Sequence, residues 1–214
     1  MKNKGYKILD KKSVFIDKSV KIGKGVVIYE NNRIEGDTVI EDNAIIMPNC
    51  YIKNSVIGKN STINFSQLED AKVGDNCYIG PFARLRPKAE IHNGAKIGNF
   101  CEVKNAVIGE NTKVNHLAYV GDADIGKDCN IGCGAIFVNY NGKIKQRTIV
   151  KDNVFIGSNC NIIAPTTIES NSYICAGTTI TLRVNEDDFV IGRVRQENKE
   201  NRAHNYLKKF VESK

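Results

Sequence analysis

From residue 16 onward a branched aliphatic side chain recurs every six residues, occasionally every five. The series runs Ile16, Ile22, Ile28, Ile34, Ile40, Ile46, Ile52, Ile57, Ile63, Leu68, Val73, Ile79, Leu85, Ile91, Ile97, Val103, Ile108, Val114, Val120, Ile125 and Ile131. It lapses, then resumes at Val150, Ile156, Ile162, Ile168, Ile174 and Ile180. These 27 positions take more than half of the 51 Ile, Val and Leu residues, too large a share for chance. Polar turn segments such as "GKG", "EDN", "GDN" and "GEN" lie between them. Gly, Asn and Asp there supply the backbone angles that a sharp corner needs.

A period of six is neither the 3.6 of a helix nor the 2 of a plain strand. It describes short flat strands joined by corners, three to a turn, each unit turning one large and one small side chain inward. Hexapeptide repeats of this kind predict an all-β fold, a parallel β-helix whose coils stack at the ~4.8 Å spacing of neighbouring strands. Nine coils would make a column roughly 43 Å long. The spacing does not set the hand, since the general rule for parallel crossovers favours a right-handed one. The repeat predicts a β-helical domain over 1–192. The tail 193–214, "RVRQENKENRAHNYLKKFVESK", reads as a charged helix able to cover the last coil.

Composition adds limits. At 214 residues one domain is the default. No apolar run approaches the ~20 residues of a membrane helix. The start, "MKNKGYKILDKKS", lacks the apolar stretch of a secretory signal. The net charge of +7 fits simple solubility or a small phosphorylated ligand. No basic stripe interleaved with aromatics points to nucleic acid. The seven cysteines match no zinc spacing. Cys50, Cys77, Cys101, Cys129 and Cys160 fall on the small inward position, so they read as packed thiols of a reduced, cytoplasmic interior. Cys133 and Cys175 lie off that ladder.

The breaks in the repeat mark candidate chemistry. Five-residue units begin at Ile52, Ile63, Leu68, Val103 and Val120, so Leu85 and Val103 fall on one side of successive coils. Arg86 and Lys104 are then neighbours across ~5 Å of backbone. Either both stems splay into water, or an anion such as a phosphate lies between a planar fork and a point charge. The stretch 137–148, "FVNYNGKIKQRT", breaks the rule and predicts a loop carrying Asn139, Tyr140 and Lys145 about one coil after His116. His116 itself, in "VNHLAY", is one of only three histidines. It is a solvated residue on a repetitive surface or the functional centre of that surface.

The run "IGPFARLRPKAEIHNGAKIGNFCEVKNAVIGENTKVNHLAYVGDADIGKDCNIGCG", followed by "VNYNG" and "VFIGSNCNIIAPTTI", resembles a known domain. It is the acetyltransferase domain of the bifunctional bacterial glucosamine-1-phosphate N-acetyltransferase/N-acetylglucosamine-1-phosphate uridylyltransferase. The likeness runs from about Ile79 to Arg193 and more loosely back to about Ile8; the uridylyltransferase half with its Gly-rich nucleotide signature has no counterpart in the sequence. The resemblance implies a left-handed β-helix, a homotrimer with the acetyl-CoA groove between columns, and acetyl transfer to glucosamine 1-phosphate. It implies His116 as general base, and Arg86, Lys104, Tyr119 and Asn130, with Lys145 nearby, as sugar-phosphate residues. Cys133, Asn139, Tyr140, Ser158, Ala176 and Arg193 would line the acetyl-CoA groove, and no metal is implied. The sequence departs from the family at Asn115 (usually Gly), Ala118 (usually Thr) and Cys133 (usually Ala). The first two bear on the pose of His116, and the third sets a thiol beside the expected thioester.

Three other readings compete: an acetyltransferase for another amino sugar or nucleotide-linked amine, a non-catalytic β-helix scaffold, and a zinc enzyme of the γ-carbonic anhydrase kind. The last needs three metal-binding histidines, whereas His92, His116 and His204 are scattered, one of them in the tail.

Overall fold

The structure, a computed structural model, describes residues 5–206. The chain winds as a β-helix with three flat faces, each a parallel sheet built from one short strand per coil. The first face has eleven strands, from Lys7–Ile8 to Phe189–Val190; the second has ten, from Phe15–Ile16 to Thr179–Ile180; the third has nine, from Lys21–Ile22 to Thr166–Ile168. The coils number about ten, and the fold is the left-handed hexapeptide β-helix that the resemblance implied.

The repeat explains this stacking residue by residue. Ile52, Leu68, Leu85, Val103 and Val120 pair in succession on the second face, as the five-residue units require. All are fully buried. Each such aliphatic side chain taken from water contributes about 1.5–3 kcal/mol. The small inward position fills the corners. Where it is Ser or Thr, the hydroxyl serves two coils: Ser61 Oγ donates to the Gly74 carbonyl (2.7 Å) and accepts from the Cys77 amide (2.9 Å). Thr112 does the same with Gly126 (2.7 Å) and Cys129 (3.0 Å). Cys50, Cys77, Cys101, Cys129 and Cys160 are buried thiols as expected. Burial raises all five above the usual thiol range, Cys50 to about 11.

Outside, the corners are turned by residues with positive φ, mostly Asn, and their side chains bond up the column. Asn54 Nδ2 donates to Asp70 Oδ1 (3.1 Å), and Asn153 Nδ2 to Asn171 Oδ1 (2.9 Å).

Two expectations are refined. The lapse in the aliphatic series is shorter than 137–148, because the fully buried Phe137 takes an aliphatic slot and pairs with Ile162. The loop proper is 139–147, between strands Ile136–Val138 and Thr148–Val150. Of the tail expected to be helical, the described part holds a single 3-10 turn, Ala203–Asn205; residues 207–214 lie outside the described residues. Among the described residues no helix is long and apolar enough to cross a membrane.

Candidate active site

The polar residues singled out by the sequence fall into two groups on adjoining faces. On the second face, Leu85 pairs with Val103, and Arg86 N donates to Val103 O (2.9 Å), so Arg86 and Lys104 emerge side by side. They do not simply splay. Arg86 Nη1 contacts Glu102 Oε1 at 2.8 Å, and this carboxylate holds the guanidinium above its ordinary pKa. The ammonium of Lys145, brought in by the loop, pushes Lys104 below the usual lysine value, and Arg86 adds to the effect. Like charges held close in this way favour an anion between them.

The cluster is anchored by Asp122, which no site expectation included. It is 8% exposed and accepts from the side-chain amides of Asn105 and Asn139. Burial alone would push its carboxyl up, but the two amide donors and the Lys104 and Lys145 cations outweigh that and hold it low. Asn139, expected in the acetyl-CoA groove, is buried here at 7% exposure, with its amide also 3.5 Å from Tyr119 Oη. The Tyr119 ring lies across Gly121, the residue paired with Lys104; a Cβ on Gly121 would fall inside the phenol.

On the first face, His116 ends the strand Lys113–His116, and its Nδ1 lies 2.7 Å from Asn99 Oδ1. Successive coils continue the same corner column. Gly134 N donates to His116 O (3.3 Å), Asn159 N to Cys133 O (2.7 Å), and Gly177 N to Ser158 O (2.8 Å). Arg193 then caps the column, its Nη1 donating to Ala176 O at 2.9 Å. His116, Cys133, Ser158, Ala176 and Arg193 thus form one line along the column's length. Only the corner residue Leu117 (φ 48°) and the inward Ala118 separate His116 from Tyr119, so these two flank one corner, while Lys104, paired with Gly121, lies at the other end of the strand that Tyr119 opens.

Two residues stand apart. Asn130 lies at the opposite edge of the first face, paired with Lys113 and Phe155, away from the cations. Tyr140 projects from the loop, 54% exposed, its hydroxyl donating to Gly142 O (2.7 Å). His92 follows the third-face strand Glu90–Ile91, so it shares no face with His116.

Sequence reasoning also missed an apolar ridge on the corner beside His116. Phe65, Phe82, Phe100 and Leu117 all take positive φ and point outward, Phe100 and Leu117 at 56% exposure. The Phe65–Phe82 and Phe82–Phe100 ring centroids are 4.7 and 5.3 Å apart. The signal was available in coil arithmetic: each residue follows the last by one turn.

Comparison with known proteins agrees with this architecture. The family described as bacterial transferase hexapeptide (six repeats) matches residues 37–66, 70–105 and 147–181. The bifunctional protein GlmU of Alkaliphilus metalliredigens is 55% identical over 101 residues, 47% of this chain and 22% of its own length. That of Clostridium beijerinckii is 52% identical over 99 residues, 46% and 22%. The chain therefore spans about a fifth of these relatives, and the strong identity covers less of it than the resemblance suggested. Among solved structures, the UDP-N-acetylglucosamine acyltransferase of Arabidopsis superposes with a TM-score of 0.63 at 21% identity, over 83% of this chain and 69% of that one. The LpxA of Bacteroides fragilis gives 0.54 at 21%, over 83% and 69%. At such identity these two show the shared fold alone.

Proposed function

We propose that this hexapeptide-repeat β-helix is an acetyl-CoA-dependent N-acetyltransferase whose acceptor is an amino-sugar phosphate, glucosamine 1-phosphate first among them. The observation that carries the reading is the three-cation cluster of Arg86, Lys104 and Lys145, on the face adjoining a histidine whose Nε2 makes no hydrogen bond among the described residues. The cations suit a phosphate monoester, with Arg86 offering two parallel donors and the lysines point charges. Tyr119 stands beside them as a neutral hydrogen-bonding group for a sugar hydroxyl, while the buried Asn139 is committed to Asp122.

The chemistry asked of the residues is modest. The acceptor amine attacks the thioester carbonyl carbon, His116 Nε2 takes the proton released from nitrogen, and the carbon–sulfur bond breaks to expel the CoA thiolate. Histidine suits that proton transfer near neutral pH, where base assistance contributes ~10²–10⁴-fold. Holding both substrates together contributes through orientation. The line Cys133, Ser158, Ala176 and Arg193 rises along the column from His116, a path for an extended acyl carrier. The Phe82–Phe100–Leu117 ridge beside His116 would pack against a second column, so that the cleft is completed between copies in a homotrimer.

The test is thiol release from acetyl-CoA with a panel of amino sugars and their phosphates. Glucosamine 1-phosphate should outrank unphosphorylated glucosamine. His116→Ala should abolish turnover with an unchanged far-UV CD spectrum. A fully active, correctly folded His116→Ala protein would remove the base assignment, and equal rates with and without phosphate would remove the acceptor.

A further inference from the structure

We infer that Asn99 is a positioning residue that holds the His116 imidazole as its Nδ1–H tautomer and leaves Nε2 free to take a proton. Its catalytic meaning rests on the proposed acetyl transfer, but the tautomer itself does not. Asn99 Oδ1 lies 2.7 Å from His116 Nδ1, within the range of a good N–H···O hydrogen bond. An amide oxygen only accepts, so Nδ1 carries the hydrogen and the neutral ring keeps its lone pair on Nε2.

The backbone is built to make this contact. Every other strand of the first face is two residues long, whereas Lys96–Asn99 and Lys113–His116 extend to four. That extension carries the ladder out to the corner and pairs Asn99 directly with His116. Leu117 N, donating to Asn99 O at 3.0 Å, locks the pair from the far side. Gly98 is required for the approach, because a Cβ there would run into the Asn115 backbone. A neutral amide also orients the ring without the negative charge that would favour imidazolium, and a base must start unprotonated.

The experiment is long-range ¹H–¹⁵N correlation on histidine-labelled full-length protein, at a pH where the ring is neutral. The His116 resonances are assigned by their loss in His116→Gln. The wild-type ring should show a protonated Nδ1 and an unprotonated Nε2. Asn99→Leu should move the proton to Nε2 and lower kcat by about 10–10²-fold, a fraction of the effect of a fixed wrong tautomer, with KM for acetyl-CoA nearly unchanged. Asn99→Asp keeps an acceptor and should restore the Nδ1–H pattern. A wild-type ring protonated at Nε2, an Asn99→Leu ring still protonated at Nδ1, or a tautomer change without loss of kcat would each overturn the inference. An inactive wild-type chain with an Nδ1–H ring ends the acetyl-transfer reading while leaving the tautomer assignment standing.

Discussion

Replacing Asp122 by Ala should loosen the loop 139–147 and lower the stability of the middle coils. The carboxylate accepts from Asn105 and Asn139, and Asn139 is itself buried. A hydrogen bond to a charged acceptor contributes about 1.5–3 kcal/mol, and removing the acceptor strands the buried donor. Taking about 2 kcal/mol for Asn139 and about 1 for the more exposed Asn105 gives a loss of about 3 kcal/mol. In a domain of this size each kcal/mol moves the melting temperature by about 2–4 °C, so the fall should be about 6–12 °C. Asp122→Asn keeps one acceptor but turns an NH₂ toward the other amide, and should lose half of this or more. Far-UV CD melts measure the shift, and limited proteolysis tests whether cleavage begins within 139–147. A melting temperature within about 2 °C of wild type in Asp122→Ala would refute the claim that this carboxylate anchors the loop. The pH dependence gives an independent sign. The folded carboxyl is held below its ordinary value despite burial, so its stabilisation is present above the unfolded carboxylate pKa and fades as pH falls through the folded value. The gap between wild type and Asp122→Asn should therefore be level from about pH 5 to 8 and close below about pH 4.

Other expectations concern the cations and the ring that lies over the sheet. Arg86→Ala should raise KM for the phosphorylated acceptor with little change in KM for acetyl-CoA; a shift in acetyl-CoA dependence alone would misplace the anion site. Glu102→Gln frees the same guanidinium from a half-exposed ion pair of about 0.2–1 kcal/mol, so that KM should fall about 1.4- to 5-fold; a rise would make Glu102 part of acceptor binding. Gly121→Ala should displace the Tyr119 phenol from the surface and weaken acceptor affinity, read by calorimetric titration, without lowering the melting temperature as far as Asp122→Ala. Unchanged affinity would show that the ring's place over Gly121 has no part in binding.

The column was legible because one side chain type repeats at one spacing: every aliphatic from Ile16 to Ile180 that the period assigned inward has a place in a stacked sheet. Coil arithmetic also sets Arg86 beside Lys104, as the pairing of Leu85 with Val103 shows. Residues whose meaning comes from a partner one coil away were harder. Asn99 precedes His116 by seventeen residues, and nothing local in "GNF" marks it as the ring's acceptor. Asp122 lies inside the run that carries the family resemblance, yet its role depends on Asn139 returning from a loop that breaks the period. Phe137 was lost to the repeat because a ring replaced the expected aliphatic, which lengthened the apparent loop. Glu102 stands out only across coils: it pairs with Arg84, so alternation on the strand sets its carboxylate diagonally opposite Arg86.

The placement of the cluster along the column has a consequence for motion. On the second face four strands lie below Arg84–Leu85 and two above Ile136–Val138, so every strand bearing the polar groups is braced on both sides. A solenoid unzips from its termini, since an end coil loses one neighbour while an internal coil must break two interfaces. Amide exchange should thus run as a gradient, fastest in the outermost turns and slowest around residues 84–138, and breathing of the ends leaves the geometry at the centre undisturbed.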